Sequence, residues 1–273
     1  MGSPVVAYLG PAGSYAHLAT LGRFAQDATL LPCDSIPAVF EAVASGAAAR
    51  GVVPIENSTE GGVTFTMDCL LQHSLPVVGE CIVAVEHCLI GTQPSLDAIE
   101  CVRSHPQALA QCRGWLGEHL PGAERIATAS TSGAVVGLDG RTAAIAGALA
   151  AELAGVPILA RGVQDREHNR TRFSVLGGGA HEPTGRDATT LVFSTLHERG
   201  ALRRALGVLD DAGLNLTRIE SRPHPDRLWH YVFFTELEGH RDSPQVASAI
   251  EALRGASASV TVLGSYPRAD APA

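Results

Sequence analysis

The sequence predicts an α/β protein in two domains, and three observations carry that reading. Up to about residue 180, apolar strand-like runs alternate with helically spaced segments across short loops, the pattern of a layered α/β domain with largely parallel strands. The stretch GGGAHEPTGRD (177–187) then breaks the pattern with three glycines, a proline and mixed charge, the composition of a linker. Beyond it the elements run strand, helix, strand, strand, helix, strand, which is the ferredoxin-like order βαββαβ. At 273 residues the chain exceeds a usual single domain. The expected domains are residues 4–180 and 188–267.

Taken in order, PVVAYLG (4–10) is a strand closed by Gly-Pro, and Ser14 then caps a helix carrying Leu18, Leu21 and Ala25. GVVPI (51–55) is a strand followed by the polar turn Glu56-Asn57-Ser58, and Val63, Met67, Leu70 and Leu71 keep helical spacing. CIVAVEHCLIG (81–91) and IECV (99–102) read as strands. Ser104-His105-Pro106-Gln107 fits a capping box, with Leu109, Cys112, Leu116 and Leu120 striping one helical face behind it. Thr131 or Ser132 caps a further helix, and 142–147 with 148–155 make a strand-helix pair. In the second domain the strands fall at 189–196, 214–222, 228–237 and 259–266, with helices at 201–213 and 244–255.

Composition excludes several classes. Hydrophobic residues are 45% and charged residues 18%, as in globular chains, and the formal net charge of -8 argues against a broad basic face for nucleic acid or anionic lipid. The six cysteines form no CxxC and read as buried free thiols of a reducing compartment. The first Lys or Arg is Arg23, so no signal peptide is expected, and the most apolar stretch, 143–160, holds Glu152 and Pro157 and is not a membrane span. The expected location is the cytoplasm.

Three polar stretches stand where α/β proteins place ligand sites, after an apolar run or at a helix mouth: VVPIENSTEGG (52–62), SHPQALAQC (104–112) and HNRTRF (168–173). Far apart in sequence, they point to one pocket built from several loops. Each residue also has a plainer reading. Asn57 and Ser58 end a buried strand as a helix cap does, and Thr171 lies in a short loop as a turn former does, although Arg170 and Arg172 give that loop an anion-attracting field. Gln111 lies one turn beyond Gln107 and shares its face. His105 fits an orienting role as well as a catalytic one. Gly10-Pro11-Ala12-Gly13-Ser14 is either an anion site at a helix N-terminus or a plain tight turn; it is not GxGxxG, and Walker A is absent. The eleven histidines form no HExxH, and Glu86-His87-Cys88 alternates faces along a strand, so those residues are read as core or surface and no metal is expected.

Together GPAGSYAHLA (10–19), VVPIENSTEGG, LLQHSLPVVGE (70–80), SHPQALAQC, GVQDREHNRTRF (162–173), GAL (200–202), ESRP (220–223) and LGSYP (263–267) resemble prephenate dehydratases, in that family's order and over nearly the whole chain. No chorismate mutase segment precedes the first strand, so the resemblance is to the monofunctional form. It implies a two-lobed catalytic domain similar to periplasmic binding proteins, with the active site in the cleft, followed by an ACT domain. It also implies Thr171 as the essential hydroxyl, with Asn57, Ser104 and Gln111 in the pocket. Arg172, or helix N-termini near Ser14, Ser104 or Ser132, would hold the substrate's side-chain carboxylate. Glu56 and His105 are alternative proton sources, and Ser58 and Thr131 complete the expected substrate contacts. Gly200, Ala201 and Leu202 with Glu220, Ser221, Arg222 and Pro223 would bind phenylalanine between subunits, with Asn215 on its amino group. A homodimer or homotetramer is expected. Arg199 departs from the proline that many members carry before the glycine of that first motif.

The implied reaction is loss of CO2 and water from prephenate to give phenylpyruvate. Aromatisation drives it, so no cofactor is needed. Arogenate dehydratase activity differs only in an amine for the ketone. A prephenate decarboxylase, a solute-binding protein and a non-catalytic amino-acid sensor are the other readings, each missing a feature that this sequence has or requiring one that it lacks.

Overall fold

The computed structural model describes residues 3–24, 27–179 and 181–270. Strand β1 (Val5–Leu9) leads to helix α1 (Tyr15–Phe24), which starts where Ser14 Oγ accepts the His17 N–H at 3.1 Å and donates to the Leu9 carbonyl at 3.0 Å. The buried face of α1 is Ala16, Ala19 and Thr20 rather than the expected leucine stripe. Leu18 is 39% exposed, since small side chains let the helix lie close on the sheet. Ala25, the third residue of that stripe, lies outside the described residues.

The sequence expectations include neither β2 (Thr29–Cys33), a mostly exposed strand, nor α2 (Ile36–Ala44). Ser35 caps α2 by accepting the Ala38 N–H at 3.3 Å, and Val39 and Phe40 anchor it in the core. Then come β3 (Arg50–Asn57), β4 (Gly61–Gly62), α3 (Thr64–Gln72) and β5 (Val77–Ala84). Glu56 and Asn57, expected in a turn, are the last residues of β3.

The apolar stretch 81–91, expected as one strand, is split. Residues 85–87 carry the chain across to a second lobe, where β6 (Cys88–Ile90) begins a new sheet. Both halves are apolar, so periodicity does not register the crossing. The second lobe adds β7 (Cys101–Ser104), α4 (Pro106–Gln111), α5 (Arg113–His119), β8 (Glu124–Ala127), β9 (Thr142–Ala146), α6 (Ala148–Ala154) and β10 (Ile158–Ala160). The cap of α4 is His105, whose ring accepts the Gln107 N–H at 3.3 Å, and not Ser104. Helical order breaks at Cys112, yet Cys112, Leu116 and Leu120 are buried as their stripe requires. Instead of a helix after Thr131 or Ser132 there is one 3₁₀ turn, Gly133–Val135, with Ser130 Oγ accepting the Gly133 N–H at 3.0 Å.

The chain then returns as β11 (Arg170–Gly177), inserted between β3 and β5. The first sheet has the order β2-β1-β3-β11-β5 with β4 beside β3, and the second β10-β6-β9-β7-β8. Both are mixed, not largely parallel: β1 runs parallel to β2 and β3, whereas β11 is antiparallel to β3 and to β5. Leaving by β5 and re-entering at the same end by β11 forces that reversal. It also makes the TRF residues strand rather than loop, with Thr171 opposite Asn57 on one side and Val83 on the other.

The second domain is β12 (Asp187–Ser194), α7 (Ala201–Asp211), β13 (Leu216–Pro223), β14 (Tyr231–Glu238), α8 (Pro244–Ala256) and β15 (Ser259–Pro267), in the order β13-β14-β12-β15 and antiparallel throughout. Helices α7 and α8 cover one face over Leu191, Phe193 and Leu237, packing Leu253 of α8 among them. The other face shares a core with the first lobe: Val192, Phe234, Leu263 and Tyr266 pack with Phe40, Met67 and Leu70. Gly264 makes the closest approach, since a Cβ there would overlap the Val77 carbonyl. All six cysteines are free thiols. No described helix is long and apolar enough to cross a membrane.

Candidate active site

A cleft of about 460 Å³ separates the two lobes. The first lobe lines it with Ser14, Tyr15, Asn57, Thr171 and Phe173, the second with His105, Gln107, Gln111 and Thr131, and the crossing segments with His87 and Asn169. Alternation along β11 turns Thr171 and Phe173 to the cleft and Arg172 to the back of the sheet.

One hydrogen-bond network runs through these groups. Asn57 Oδ1 accepts the Thr59 N–H at 3.0 Å, the Thr59 hydroxyl at 2.6 Å and the Glu60 N–H at 3.2 Å. Backbone N–H groups are donors only, which fixes the amide orientation of Asn57. Its Nδ2 therefore donates twice, to Asn169 Oδ1 at 2.8 Å and to Thr171 Oγ1 at 2.9 Å. Asn169 Nδ2 donates to Gln111 Oε1 at 3.1 Å, and the amide nitrogen of Gln111 faces the Thr59 hydroxyl and the Glu60 carboxylate, both at 3.3 Å. Gln111 Oε1 also lies 2.9 Å from His87 Nε2, so that nitrogen carries a proton. The Tyr15 hydroxyl reaches the Glu86 carbonyl at 2.7 Å and His87 Nδ1 at 3.2 Å.

Burial sets the charge states. His87 is 2% exposed, and desolvation holds its pKa below the usual value against the opposing effect of its Gln111 hydrogen bond, so the ring is neutral at neutral pH. Desolvation pushes the Tyr15 phenol above its ordinary range. Among the described residues, no Arg or Lys lines the cleft, and exposed Asp34 is its one carboxylate.

Of the residues singled out from sequence, Asn57, Gln111, Thr171, His105, Ser14 and Thr131 come together in this cleft. Others do not. Ser104 is fully buried and gives its hydroxyl to the Ile145 carbonyl at 2.6 Å, because strand alternation turns it into the second lobe. Ser58 Oγ accepts the Arg170 N–H at 2.9 Å and donates to the His168 carbonyl at 3.3 Å, stitching the crossing segment. Glu56 and Arg172 pair with each other on the back of the sheet. There Arg172 also meets Glu236 at 2.5 Å and Glu80 at 3.5 Å, so this guanidinium is unavailable to an anion in the cleft. Tyr15, His87 and Asn169 were not picked out by sequence reasoning, although Tyr15 adjoins Ser14 and Asn169 lies inside HNRTRF. His87, read within Glu86-His87-Cys88 as core or surface, is buried and also lines the cleft. Among the described residues no cluster of three or more His, Cys, Asp or Glu is arranged to hold a metal.

In the second domain Gly200 caps α7 at φ 78, Ala201 is buried behind it and Leu202 packs into the core beneath the helices. Asn215 is exposed, and its carbonyl accepts the Glu238 N–H at 3.0 Å. Along β13, Arg222 is committed to Asp68 of α3 with both oxygens at 2.9 Å, Glu220 sits near Gly62 of the first lobe, and Ser221 and Pro223 are exposed.

The family model for prephenate dehydratase matches residues 6–180, and that for the ACT domain matches 189–255. The chain is 41% identical over 267 residues to a bifunctional chorismate mutase/prephenate dehydratase of Stutzerimonas stutzeri, covering 97% of this chain and 73% of that one. A solved prephenate dehydratase from Arthrobacter aurescens, in complex with L-Phe, superposes with a TM-score of 0.90 at 37% identity, over 98% and 91% of the two chains. A solved protein described as a novel type of quorum-quenching acylase superposes at 0.88 with 34% identity, over 97% and 98%.

Proposed function

This chain belongs to the prephenate dehydratase family of carbon–oxygen lyases, and from that premise we propose that its cleft converts prephenate to phenylpyruvate, CO2 and water with Thr171 as proton donor. The bond from the ring to its carboxylate breaks, the electron pair enters the ring, and the para hydroxyl leaves. The prephenate dianion takes up one proton, relayed through the Thr171 hydroxyl, which regains its own from solvent, and yields the phenylpyruvate anion, CO2 and water. Aromatisation supplies the driving force.

The observation that carries this reading is the hydrogen bond from Asn57 Nδ2 to Thr171 Oγ1. A hydroxyl that receives from an amide has its own proton turned elsewhere and made more acidic, so it is poised to donate to a departing oxygen. The same bond argues against an acylase reading, because a nucleophilic hydroxyl needs a base to take its proton and an amide nitrogen offers none. The lack of cationic side chains among the described cleft residues also suits decarboxylation. A guanidinium on the carboxylate that becomes CO2 would stabilise the ground state and slow the reaction. The other carboxylate then meets neutral donors, the N-terminus of α1 beside Ser14 and the hydroxyl of Thr131.

L-Phenylalanine binding to the second domain near Gly200 and the outward residues of β13 is the regulatory part of the proposal, supported by the L-Phe complex of the Arthrobacter protein. Sheet edges of that domain are the expected contact in a homodimer or homotetramer. Six free thiols favour the cytoplasm. The test is to incubate the full chain with prephenate or arogenate and follow the aromatic product and released CO2, with and without phenylalanine. Phenylpyruvate should form, with kcat/KM higher for prephenate than for arogenate. No turnover of either substrate sinks the proposal, and a rate indifferent to phenylalanine sinks its regulatory part.

A further inference from the structure

Pairing between β3 and β11 slips by one residue beside the cleft. Thr171 lies opposite Asn57 and Arg172 opposite Glu56, but Phe173 lies opposite Pro54, so Ile55 is an extra residue on β3. Such a bulge re-aims the side chains next to it, and here those include Asn57 and Thr171. The Ile55 carbonyl is held from the second domain: it accepts the Arg218 guanidinium of β13 at 3.3 Å, along with the Val63 N–H at 2.9 Å. Arg218, with its side chain 10% exposed, also lies 4.0 Å from the Glu56 carboxylate. That carboxylate binds Arg172, whose other nitrogen is taken by Glu236 of β14 at 2.5 Å. The second domain thus grips both strands one or two residues from the cleft side chains, Arg218 at Ile55 and Glu56, Glu236 at Arg172.

We propose that Arg218 and Glu236 are positioning residues for the dehydration, contributed by the second domain, which hold the β3 bulge so that Asn57 orients the Thr171 hydroxyl toward the substrate. The inference rests on Thr171 being the proton donor. It makes the second domain part of the catalytic geometry even without an effector. It also gives any effector-driven shift of that sheet a short mechanical route to the reacting group.

The experiment uses the full chain with Arg218→Met, which keeps an apolar stem, and Glu236→Gln, which keeps shape. Each should lower kcat by about 10–10²-fold, the scale of a small misplacement of reacting groups, with KM changed by no more than about threefold. Each is then combined with Thr171→Val. If the effect passes through Thr171, neither lowers the residual rate of that variant by more than about twofold. A general structural defect multiplies equally into both backgrounds, and that result overturns the proposal, as does a parental kcat in Glu236→Gln. If Arg218→Met does not fold, the Glu236→Gln pair of measurements decides. Thr171→Val with a parental rate instead overturns the proton-donor reading.

Discussion

Replacing Arg172 by methionine should destabilise the protein strongly, and more at neutral than at acidic pH. The Arg172 side chain is 19% exposed, and its partners Glu80 and Glu236 are 7% and 10% exposed. Without the guanidinium, Glu56, Glu80 and Glu236 are left with Arg218, which lies 4.0 Å from the Glu56 carboxylate. Breaking a buried pair by removing one partner costs about 3–5 kcal/mol, against about 0–1 kcal/mol for an exposed pair. Glu56 is one-third exposed and can stay hydrated, which places the expected loss near the lower bound, about 3 kcal/mol. Burial already raises the Glu80 pKa, with Arg172 among the groups that oppose the rise, so its removal raises it further. A carboxyl whose folded pKa lies above its unfolded value favours the folded state below the unfolded value and loses that contribution as pH climbs through the folded one. The deficit is therefore largest near neutrality and shrinks as pH falls toward the ordinary glutamate range. Urea unfolding of the full chain at about pH 7 and about pH 5 measures it. With m of about 1–3 kcal/mol per M, the midpoint at neutral pH should drop by about 1 M or more. A loss below about 1 kcal/mol, or one equal at both pH values, would refute the view that this cluster is a desolvated ion network.

Four further outcomes follow from the same geometry. Thr171→Val should lower kcat by about 10²–10⁴-fold with the fold intact by circular dichroism, and near-normal kcat removes Thr171 from the chemistry. His87→Leu takes a donor from Gln111 and should lower kcat, whereas His87→Gln, which offers an N–H, should recover part of the loss; equal rates in the two would show that the Nε2–H bond is idle. Ser104→Ala should cost about 1–3 kcal/mol of stability by stranding the Ile145 carbonyl while leaving KM for prephenate near the parental value, and a large KM rise would return Ser104 to the substrate site. Gly264→Ala forces a methyl group against the Val77 carbonyl, so the melting temperature should fall, and an unchanged melt would mean that the two domains separate there freely.

Local sequence rules determined much of this protein. The βαββαβ order of residues 187–267 is written in strand and helix periods, each element within reach of its own neighbours. The Ser14 cap and a helix within 148–155 were equally legible, because a cap or a short helix depends on a few adjacent residues. So were the polar segments that supply Asn57, Gln111 and Thr171 to one cleft. What the sequence left open is which face each side chain takes once strands from distant segments pair. The second lobe is an insertion between β5 and β11, and only the return of β11 beside β3 makes Thr171 and Asn57 neighbours and sends Arg172 and Glu56 to the back. His87 illustrates the same limit. Its apolar surroundings read as strand, and it enters the cleft wall only because the chain changes sheets at residues 85–87. Alternation along a strand is a local property, but the strand's neighbours, its bulges and the side that meets the second domain arise from long-range pairing, and that pairing exists only in the folded chain.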